Sequence, residues 1–124
     1  MSEKQLGIYV CGPLYGSGYV DTNVKRALQV AEYVRQCGAI PFVPHLFMFW
    51  HFRHGHPTDY WLEMDRHWLL KCDGLLVLPG VSPGSRLEEK WAAQELIPAM
   101  ELPERVSFGD VRHALVALRE RLVL

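Results

Sequence analysis

Residues 72–93, CDGLLVLPGVSPGSRLEEKWAA, carry the clearest structural signal in the chain. An apolar run at 75–78 stops at a Pro-Gly pair, and a short loop of small and polar residues, 81–85, follows. A helical pattern then begins and places Glu88 and Glu89 near its start. This order is typical of an open parallel α/β sheet, which binds ligands where its strands end and presents helix N–H groups to them. The stretch predicts a ligand cleft beside these glutamates.

The rest of the chain alternates in the same way. Apolar runs at 6–10, 39–43 and 97–102 predict further strands, and helical spacing separates them. Gly38 is expected to end the first helix, and the helix after position 58 is expected to cover 59–71. The expected helix starts or caps are Asp21 or Thr22, Thr58, about Ser85, and Ser107 or Asp110. The pattern predicts one α/β domain over 1–124: a three-layer, Rossmann-like (flavodoxin-like) parallel sheet of four to five strands flanked by helices.

Composition excludes several classes of function. The 124 residues carry a net charge of −1, which argues against a nucleic acid polymer or a membrane surface as partner. Three cysteines without a CxxC pair predict reduced thiols rather than disulfides or a zinc site. No run has the length of a membrane span or of a signal sequence, so we expect a cytoplasmic protein.

Two carboxylates occupy positions where the helical pattern is apolar. Asp65 is surrounded at helical spacing by Trp61, Leu62, Trp68 and Leu69, and Glu88 shares its side of a helix with Trp91 and Ala92. A structural role is open for each: Asp65 as a cap of a neighbouring backbone group, and Glu88 as partner of Ser85 in a capping box. If they share one cleft, they are the equipment of glycosidic bond cleavage.

Three segments together resemble the nucleoside 2-deoxyribosyltransferase-like superfamily. They are YVCGP at 9–13, Asp65 followed by Cys72-Asp73, and SPGSRLE at 82–88. The superfamily includes transferases and also N-glycosidases that release the base from a nucleoside monophosphate, and the loop at 79–85 looks closest to the second group. The resemblance covers roughly residues 6–102, and its combined spacing is more specific than any single piece.

The resemblance implies roles for individual residues. Glu88 matches the nucleophile that attacks the anomeric carbon, Tyr9 the tyrosine that holds this carboxylate, and Asp65 the aspartate that protonates the leaving base or contacts the sugar. The residues that match the pocket for the 5′ end of the substrate are Gly12, Pro13, Ser82, Gly84 and Ser85. Arg86 departs from the small residue that is common there, and would contact either a phosphate or solvent.

The segment at 44–57, PHLFMFWHFRHGHP, has no counterpart in the resemblance. It is predicted to be a long functional loop or a short helix. His45 follows the second strand, where it would contact base or sugar or be satisfied by backbone groups. The spacing of the other histidines does not favour a metal site. The aromatic residues would stack on a base or belong to the core or a subunit interface, and Cys11 is interpreted as a structural thiol.

The sequence therefore predicts cleavage of the N-glycosidic bond of a nucleoside or nucleoside 5′-monophosphate, by hydrolysis or deoxyribosyl transfer, without a cofactor. The alternatives are a non-catalytic nucleotide-binding or sensing module with the same cleft, and a structural domain in which Asp65 and Glu88 lie far apart or are salt-bridged. The resemblance also implies a homo-oligomer, a dimer or larger, in which a neighbouring subunit contributes to the site.

Overall fold

A parallel β-sheet lies at the centre of this computed structural model, which describes residues 4–14, 20–80 and 82–122. The strands are β1 (Gly7–Cys11), β2 (Ile40–Phe42), β3 (Gly74–Val77) and β4 (Ala99–Glu101). The helices are α1 (Val20–Gln36), α2 (Phe47–Arg53), α3 (Thr58–Leu69), α4 (Pro83–Gln94) and α5 (Phe108–Leu122), and a 3₁₀ turn at Pro44–Leu46 precedes α2. The described strands are ordered β2-β1-β3-β4, and all neighbours are parallel.

Both faces of the sheet are covered by helices. On β1, Ile8 and Val10 belong to the core that includes α1 and α5. Tyr9 and Cys11 point to the opposite face, into a core with Leu69 at the end of α3 and residues of α4. Because the central strand buries both of its faces, it is apolar throughout. The predicted three-layer α/β class and its parallel sheet are confirmed. Within the described ranges, no helix combines the length and the apolar character needed to span a membrane.

The direction of strand addition reverses at β1. The chain adds β2 on one side of β1 and then returns to place β3 on the other side, with Cys11 opposite Val77. The connections that leave β1 and β3 therefore diverge from neighbouring strand ends and open a crevice between them. The sheet order alone positions a cleft beside Gly12 and the loop that follows β3.

The end of α1 agrees with the prediction from its glycine. Gly38 has a φ of +85°, in the left-handed region that glycine adopts without strain. Its N–H donates to the carbonyl of Arg35, and the N–H of Ala39 donates to the carbonyl of Val34. These two bonds form a Schellman motif, which satisfies the last carbonyls of the helix.

Two predicted caps are wrong. Helix α1 already includes Val20, so Asp21 and Thr22 lie in its first turn instead of capping it; residues 15–19 lie outside the described part of the chain. Thr58 is the first residue of α3, and Pro57 occupies the cap position without a side-chain hydrogen bond. Proline fixes the extended backbone there, so the chain enters α3 without a polar cap.

The start of α5 uses both candidate residues. The Ser107 hydroxyl accepts the N–H of Asp110 at 3.1 Å, and the Asp110 carboxylate accepts the N–H of Ser107 at 2.9 Å. This reciprocal pair is a capping box in which aspartate takes the place of glutamate. It lies far from the cleft residues in sequence, so replacing Ser107 is a matched control for replacing a capping serine of the cleft.

Candidate functional site

The loop after β3 is fixed by a capping box between two serines. The Ser82 hydroxyl accepts the N–H of Ser85 at 3.1 Å, and the Ser85 hydroxyl accepts the N–H of Ser82 at 3.3 Å. The predicted box between Ser85 and Glu88 is wrong, because Pro83 starts the helix two residues before the expected position. Glu88 therefore lies in the second turn of α4, where it has no capping role.

Glu88 points from α4 toward the end of β1. The residue is 6% exposed, and its Oε2 atom has no hydrogen-bond partner among the described residues. Burial, followed by the negative charge of Asp65, raises the pKa of Glu88 to about 8. The nearby Tyr9 hydroxyl and Cys11 thiol act in the opposite direction and lower this pKa. The Tyr9 hydroxyl is itself buried without a hydrogen bond of normal geometry in the described part of the chain.

Asp65 approaches the same space from α3. Its Oδ1 atom is buried, and within the described ranges it has no hydrogen-bond partner, so it does not cap a neighbouring backbone group. Burial raises the pKa of Asp65 to about 7. Removing a carboxylate oxygen from water without a compensating hydrogen bond costs free energy. Two such groups in one place indicate a site shaped for a ligand rather than for stability.

Three adjoining pockets line the carboxyl edge of the sheet, and Asp65 borders all of them. The serine pocket, about 310 Å³, lies beneath residues 82–85 and also contacts Glu88. The carboxylate pocket, about 70 Å³, is lined by Glu88 and His45. The aromatic pocket, about 90 Å³, lies on the far side of Asp65. Its other walls are Leu14, Pro44, Phe47, Met48, His51 and Trp61.

The structure brings most of the predicted site residues together. The predicted residues that border the serine pocket together with Asp65 and Glu88 are Gly12, Ser82, Gly84 and Ser85. Tyr9 lies beneath Glu88 and interacts with it without bordering these pockets. Pro13 is buried in the loop after β1 and also borders none of the three. The alternative of a structural domain with Asp65 and Glu88 far apart does not fit this geometry.

His45 is placed on the 3₁₀ turn at the edge of the carboxylate pocket. It is 3% exposed, and neither ring nitrogen has a hydrogen bond of normal geometry among the described residues. Burial lowers the pKa of His45, and the neighbouring carbonyls of Pro13 and Gly12 offset part of this effect. The ring is therefore favoured in its neutral form, with one donor and one acceptor nitrogen.

The two glycines of the site differ in the space around them. A Cβ atom added at Gly12 would lie 2.8 Å from Cβ of Leu78, so the close approach of the β1 loop to β3 requires the absence of a side chain. A Cβ atom added at Gly84 would meet nothing within 4 Å. Gly84 therefore borders open space in the serine pocket, and its N–H belongs to the first turn of α4, which lacks helical acceptors.

Cys11 connects β1 to the serine loop. Its thiol donates to the carbonyl of Ser85 at 3.6 Å. Burial, and then the charge of Glu88, raise the pKa of the Cys11 thiol, so it stays protonated. The interpretation of Cys11 as a structural thiol rather than a nucleophile agrees with this environment.

The aromatic pocket is not predicted by the sequence. The segment at 44–57 contains the 3₁₀ turn and helix α2, so the short-helix alternative is the correct one. Phe47 and His51 are four residues apart, which places them on one side of α2, and this spacing is the signal that would have paired them. Among the described residues, no three His, Cys, Asp or Glu side chains are grouped to hold a metal ion.

A twisted parallel sheet with a cleft at its reversal point defines this chain as a Rossmann-like α/β protein, and comparisons with known proteins narrow the class. Residues 7–102 match the family described as "Domain of unknown function (DUF7768)", and the chain belongs to this family. No curated protein matches the chain.

Two solved structures share the fold. A 2-deoxyribosyltransferase from the psychrotolerant bacterium Bacillus psychrosaccharolyticus is 14% identical, with a TM-score of 0.58, and the match covers 77% of this chain and 71% of that one. A conserved protein from Enterococcus faecalis V583 is 20% identical, with a TM-score of 0.62, covering 94% and 76%. These likenesses show a shared fold, which agrees with the fold that the sequence resemblance implies.

Proposed function

We propose that this protein cleaves the N-glycosidic bond of a nucleoside or nucleoside 5′-monophosphate. The observation that carries the proposal is the pair Asp65 and Glu88, which come from different helices and border the same two pockets at the carboxyl edge of the sheet. Each has a buried oxygen without a partner among the described residues. The shared fold with a 2-deoxyribosyltransferase supports a sugar–base bond as the target.

Glu88 is the proposed nucleophile. A carboxylate oxygen of Glu88 forms a bond to the anomeric carbon while the bond from that carbon to the base nitrogen breaks, and the electron pair leaves with the base. Asp65 donates its proton to the departing base. In the second step, water or the N–H of another base attacks the anomeric carbon and gives its proton to the Asp65 carboxylate, while the bond from that carbon to Glu88 breaks and restores the Glu88 carboxylate. Water gives hydrolysis with the free sugar, and a second base gives transfer.

The two carboxylates need different protonation states when the base leaves. Burial raises the pKa of Asp65 to about 7, and burial together with the charge of Asp65 raises the pKa of Glu88 to about 8, so the pair retains a proton at neutral pH. Only Glu88 has Tyr9 and Cys11 beside it to favour its charged form. Because Glu88 has the higher pKa, the free protein holds this proton mainly on Glu88, and the reactive form is the minor one in which Asp65 carries it. We assign the nucleophile to Glu88 because Tyr9 and Cys11 stabilise its anion, and the proton of the reactive form to Asp65 because Asp65 borders every pocket of the cleft.

The serine pocket is proposed to hold the 5′ end of the substrate. The N–H of Gly84 lies at the amino end of a twelve-residue helix, where a hydroxyl or a phosphate is favoured. The hydroxyls of Ser82 and Ser85 border this pocket; the Ser82 hydroxyl donates to that of Ser85, and the Ser85 hydroxyl donates to the Ser82 carbonyl, until a substrate replaces these bonds. Arg86 is exposed and borders none of the three pockets, so it is not assigned to phosphate binding.

The test is an assay of base release. Purified protein is incubated with a panel of ribo- and deoxyribonucleosides and their 5′-monophosphates, and free base is measured by chromatography, with and without a second base as acceptor. We expect wild type to release base from one of these classes, and E88A to lose at least about 10³-fold in kcat. E89Q, which changes the neighbouring glutamate of the same helix, is the matched control and should keep wild-type activity.

Two results would overturn the proposal. Activity of E88A equal to that of wild type would exclude Glu88 as nucleophile. Saturable binding of a nucleotide without release of base from any member of the panel would instead support the non-catalytic binding module.

The oligomeric state and the cellular location of the protein are further predictions. We expect a homo-oligomer, because helix α3 around Asp65 exposes Tyr60 and Trp68. Light scattering coupled to size-exclusion chromatography measures the assembly directly, and a monomer at micromolar concentration would contradict the prediction. A cytoplasmic location agrees with the three free thiols.

A further inference from the structure

The aromatic pocket borders the proposed reaction centre and has no part in the reaction described so far. We propose that it holds the departing base, and that His51 selects bases with a hydrogen-bond acceptor at the edge that enters the pocket. This inference rests on the proposed function, since it names the part of the substrate that the pocket receives.

The position of the pocket fits a leaving group. It shares Leu14, Pro44 and Asp65 with the carboxylate pocket, so a ring placed there remains next to the proposed proton donor. The sugar would then occupy the carboxylate pocket, with its 5′ end toward the serine pocket on the other side of Asp65. The three pockets follow the order of base, anomeric carbon and 5′ end in a nucleoside.

The walls of the pocket suit a flat, uncharged ring. Phe47 and Trp61 are stacked, with ring centroids 5.9 Å apart and an interplanar angle of 26°. Met48 and Leu14 complete a largely apolar lining. Aromatic and thioether side chains offer favourable contacts to the faces and edges of a heteroaromatic ring. The ligand class is therefore a planar, neutral heterocycle such as a nucleobase.

The hydrogen bonds of His51 fix which ring nitrogen carries the proton. The indole N–H of Trp61 donates to Nδ1 of His51 at 2.9 Å, and the backbone N–H of His56 donates to the same atom at 3.3 Å. Both groups can only donate, so Nδ1 must accept and the proton of the neutral ring lies on Nε2. His51 borders the pocket, and Nε2–H is the ring group that remains to donate because Nδ1 already accepts two bonds; Trp61 acts as a positioning residue that holds this tautomer.

A donor at this edge discriminates between bases. A carbonyl oxygen or an unprotonated ring nitrogen can accept from Nε2–H, whereas a C–H or N–H group at the same position leaves the donor without a partner. A base with the wrong edge is therefore released more slowly, even though its shape fits the pocket.

The test compares a nucleoside substrate with analogues in each of which one acceptor of the base is removed: a ring nitrogen replaced by C–H, or a carbonyl oxygen replaced by hydrogen. The quantity measured is the ratio of kcat/KM between parent and analogue, determined in wild type and in variants, so that the intrinsic reactivity of each base cancels. We expect one analogue to be disfavoured by about 10-fold in wild type and by close to 1-fold in H51F. H51Q, which keeps an amide donor, should retain part of the preference, and W61F should weaken it while His51 remains.

His54→Phe is the matched control. His54 is exposed, belongs to the same segment and does not border the pocket, so H54F should keep the wild-type ratio. Ratios that are the same in wild type, H51F and H54F for every analogue would overturn the inference, and the proposed function would still stand if wild type releases base.

A second measurement keeps the inference falsifiable if no base is released. Free bases are titrated against the intrinsic fluorescence of the protein, which Trp61 in the pocket wall reports. We expect the bases to quench the fluorescence, with an affinity that is about 10-fold weaker in H51F and unchanged in H54F. Absence of quenching, or equal affinity in both variants, overturns the inference. Long-range ¹H–¹⁵N spectra should show the Nε2–H tautomer of His51 in wild type, and an Nδ1–H tautomer would contradict it.

Discussion

The cleft is built by two connections of very different construction. The connection from β3 to α4 is short and is fixed by hydrogen bonds between Ser82 and Ser85. The connection from β2 to α3 contains a 3₁₀ turn and helix α2, and its rings pack around Trp61 in the first turn of α3. The first connection positions the helix that carries Glu88, and the second shapes the pocket beyond Asp65. We infer that the position of Glu88 depends on local backbone geometry. The selectivity for a base depends instead on the packing of side chains in the second connection.

Asp65 lies between the two connections, so its replacement should have the largest effect. We expect D65N to reduce kcat for base release by about 10²–10⁴-fold, since the amide cannot donate the proton that the leaving base needs. The charge of Asp65 raises the pKa of Glu88, so D65N should also shift the acidic limb of the kcat/KM profile to lower pH.

The control for Asp65 is D59N, which removes an exposed carboxylate at the start of the same helix. The loss in D65N should shrink for substrates with better leaving bases, because these depart without protonation. An equal loss for good and poor leaving bases would show that Asp65 does not act as the acid.

Packing in the second connection is tested by Trp61. Its ring lies 5.1–5.9 Å from the rings of its neighbours Phe47, Trp50, His51, His56 and Tyr60. We expect W61A to lower the free energy of unfolding by about 2–3 kcal/mol, measured by chemical denaturation. Phe52 of the same segment is 70% exposed, and F52A should change it by no more than about 0.5 kcal/mol. Equal losses in both variants would mean that the ring cluster does not stabilise the segment.

Burial of Glu88 should make stability depend on pH. Its pKa is raised in the folded protein, so the proton binds more tightly there than in the unfolded chain, and the associated stability is present below about pH 4.5 and lost as the pH rises through about 8. E88Q has no such proton. Between pH 5 and pH 9 we expect wild type to lose about 4 kcal/mol more free energy of unfolding than E88Q. The E89Q control should follow wild type, and parallel curves for wild type and E88Q would contradict the buried environment.

The smallest expected effect concerns the serine capping box. S82A should lower the free energy of unfolding by about 1 kcal/mol, and so should S107A, which removes the equivalent cap of α5. Only S82A should also raise KM, because only Ser82 borders the serine pocket. If both variants keep wild-type KM, the serine loop does not contact the substrate.

The same contrast explains how much the sequence could predict. The strands and the Gly38 helix end follow from local rules of apolar runs and left-handed glycine, and the structure agrees with them. The pairing of Asp65 with Glu88 was expected from the resemblance and from two carboxylates on apolar helix faces. Each signal depends on residues within one or two helical turns of it, even though Asp65 and Glu88 themselves lie 23 positions apart.

The errors arise where a local rule has two solutions. Both Ser82 and Ser85 are residue types that cap helices. Because Pro83 favours the first helical position, α4 begins there and Ser82 is its cap. The aromatic pocket was not predictable in detail, because it needs α2 and α3 to pack together. The tautomer of His51 depends on Trp61, which is ten positions away along the chain.

The central claim is that Glu88 becomes covalently bonded to the sugar. The most direct measurement is intact-protein mass spectrometry after incubation with a 2′-fluoro analogue of a nucleoside that releases base, since the fluorine slows breakdown of a glycosyl intermediate. We expect one adduct with the mass of the sugar moiety, which peptide analysis maps to Glu88 and which is absent from E88Q. Base release with an adduct on another residue, or with the same adduct in E88Q, would contradict it.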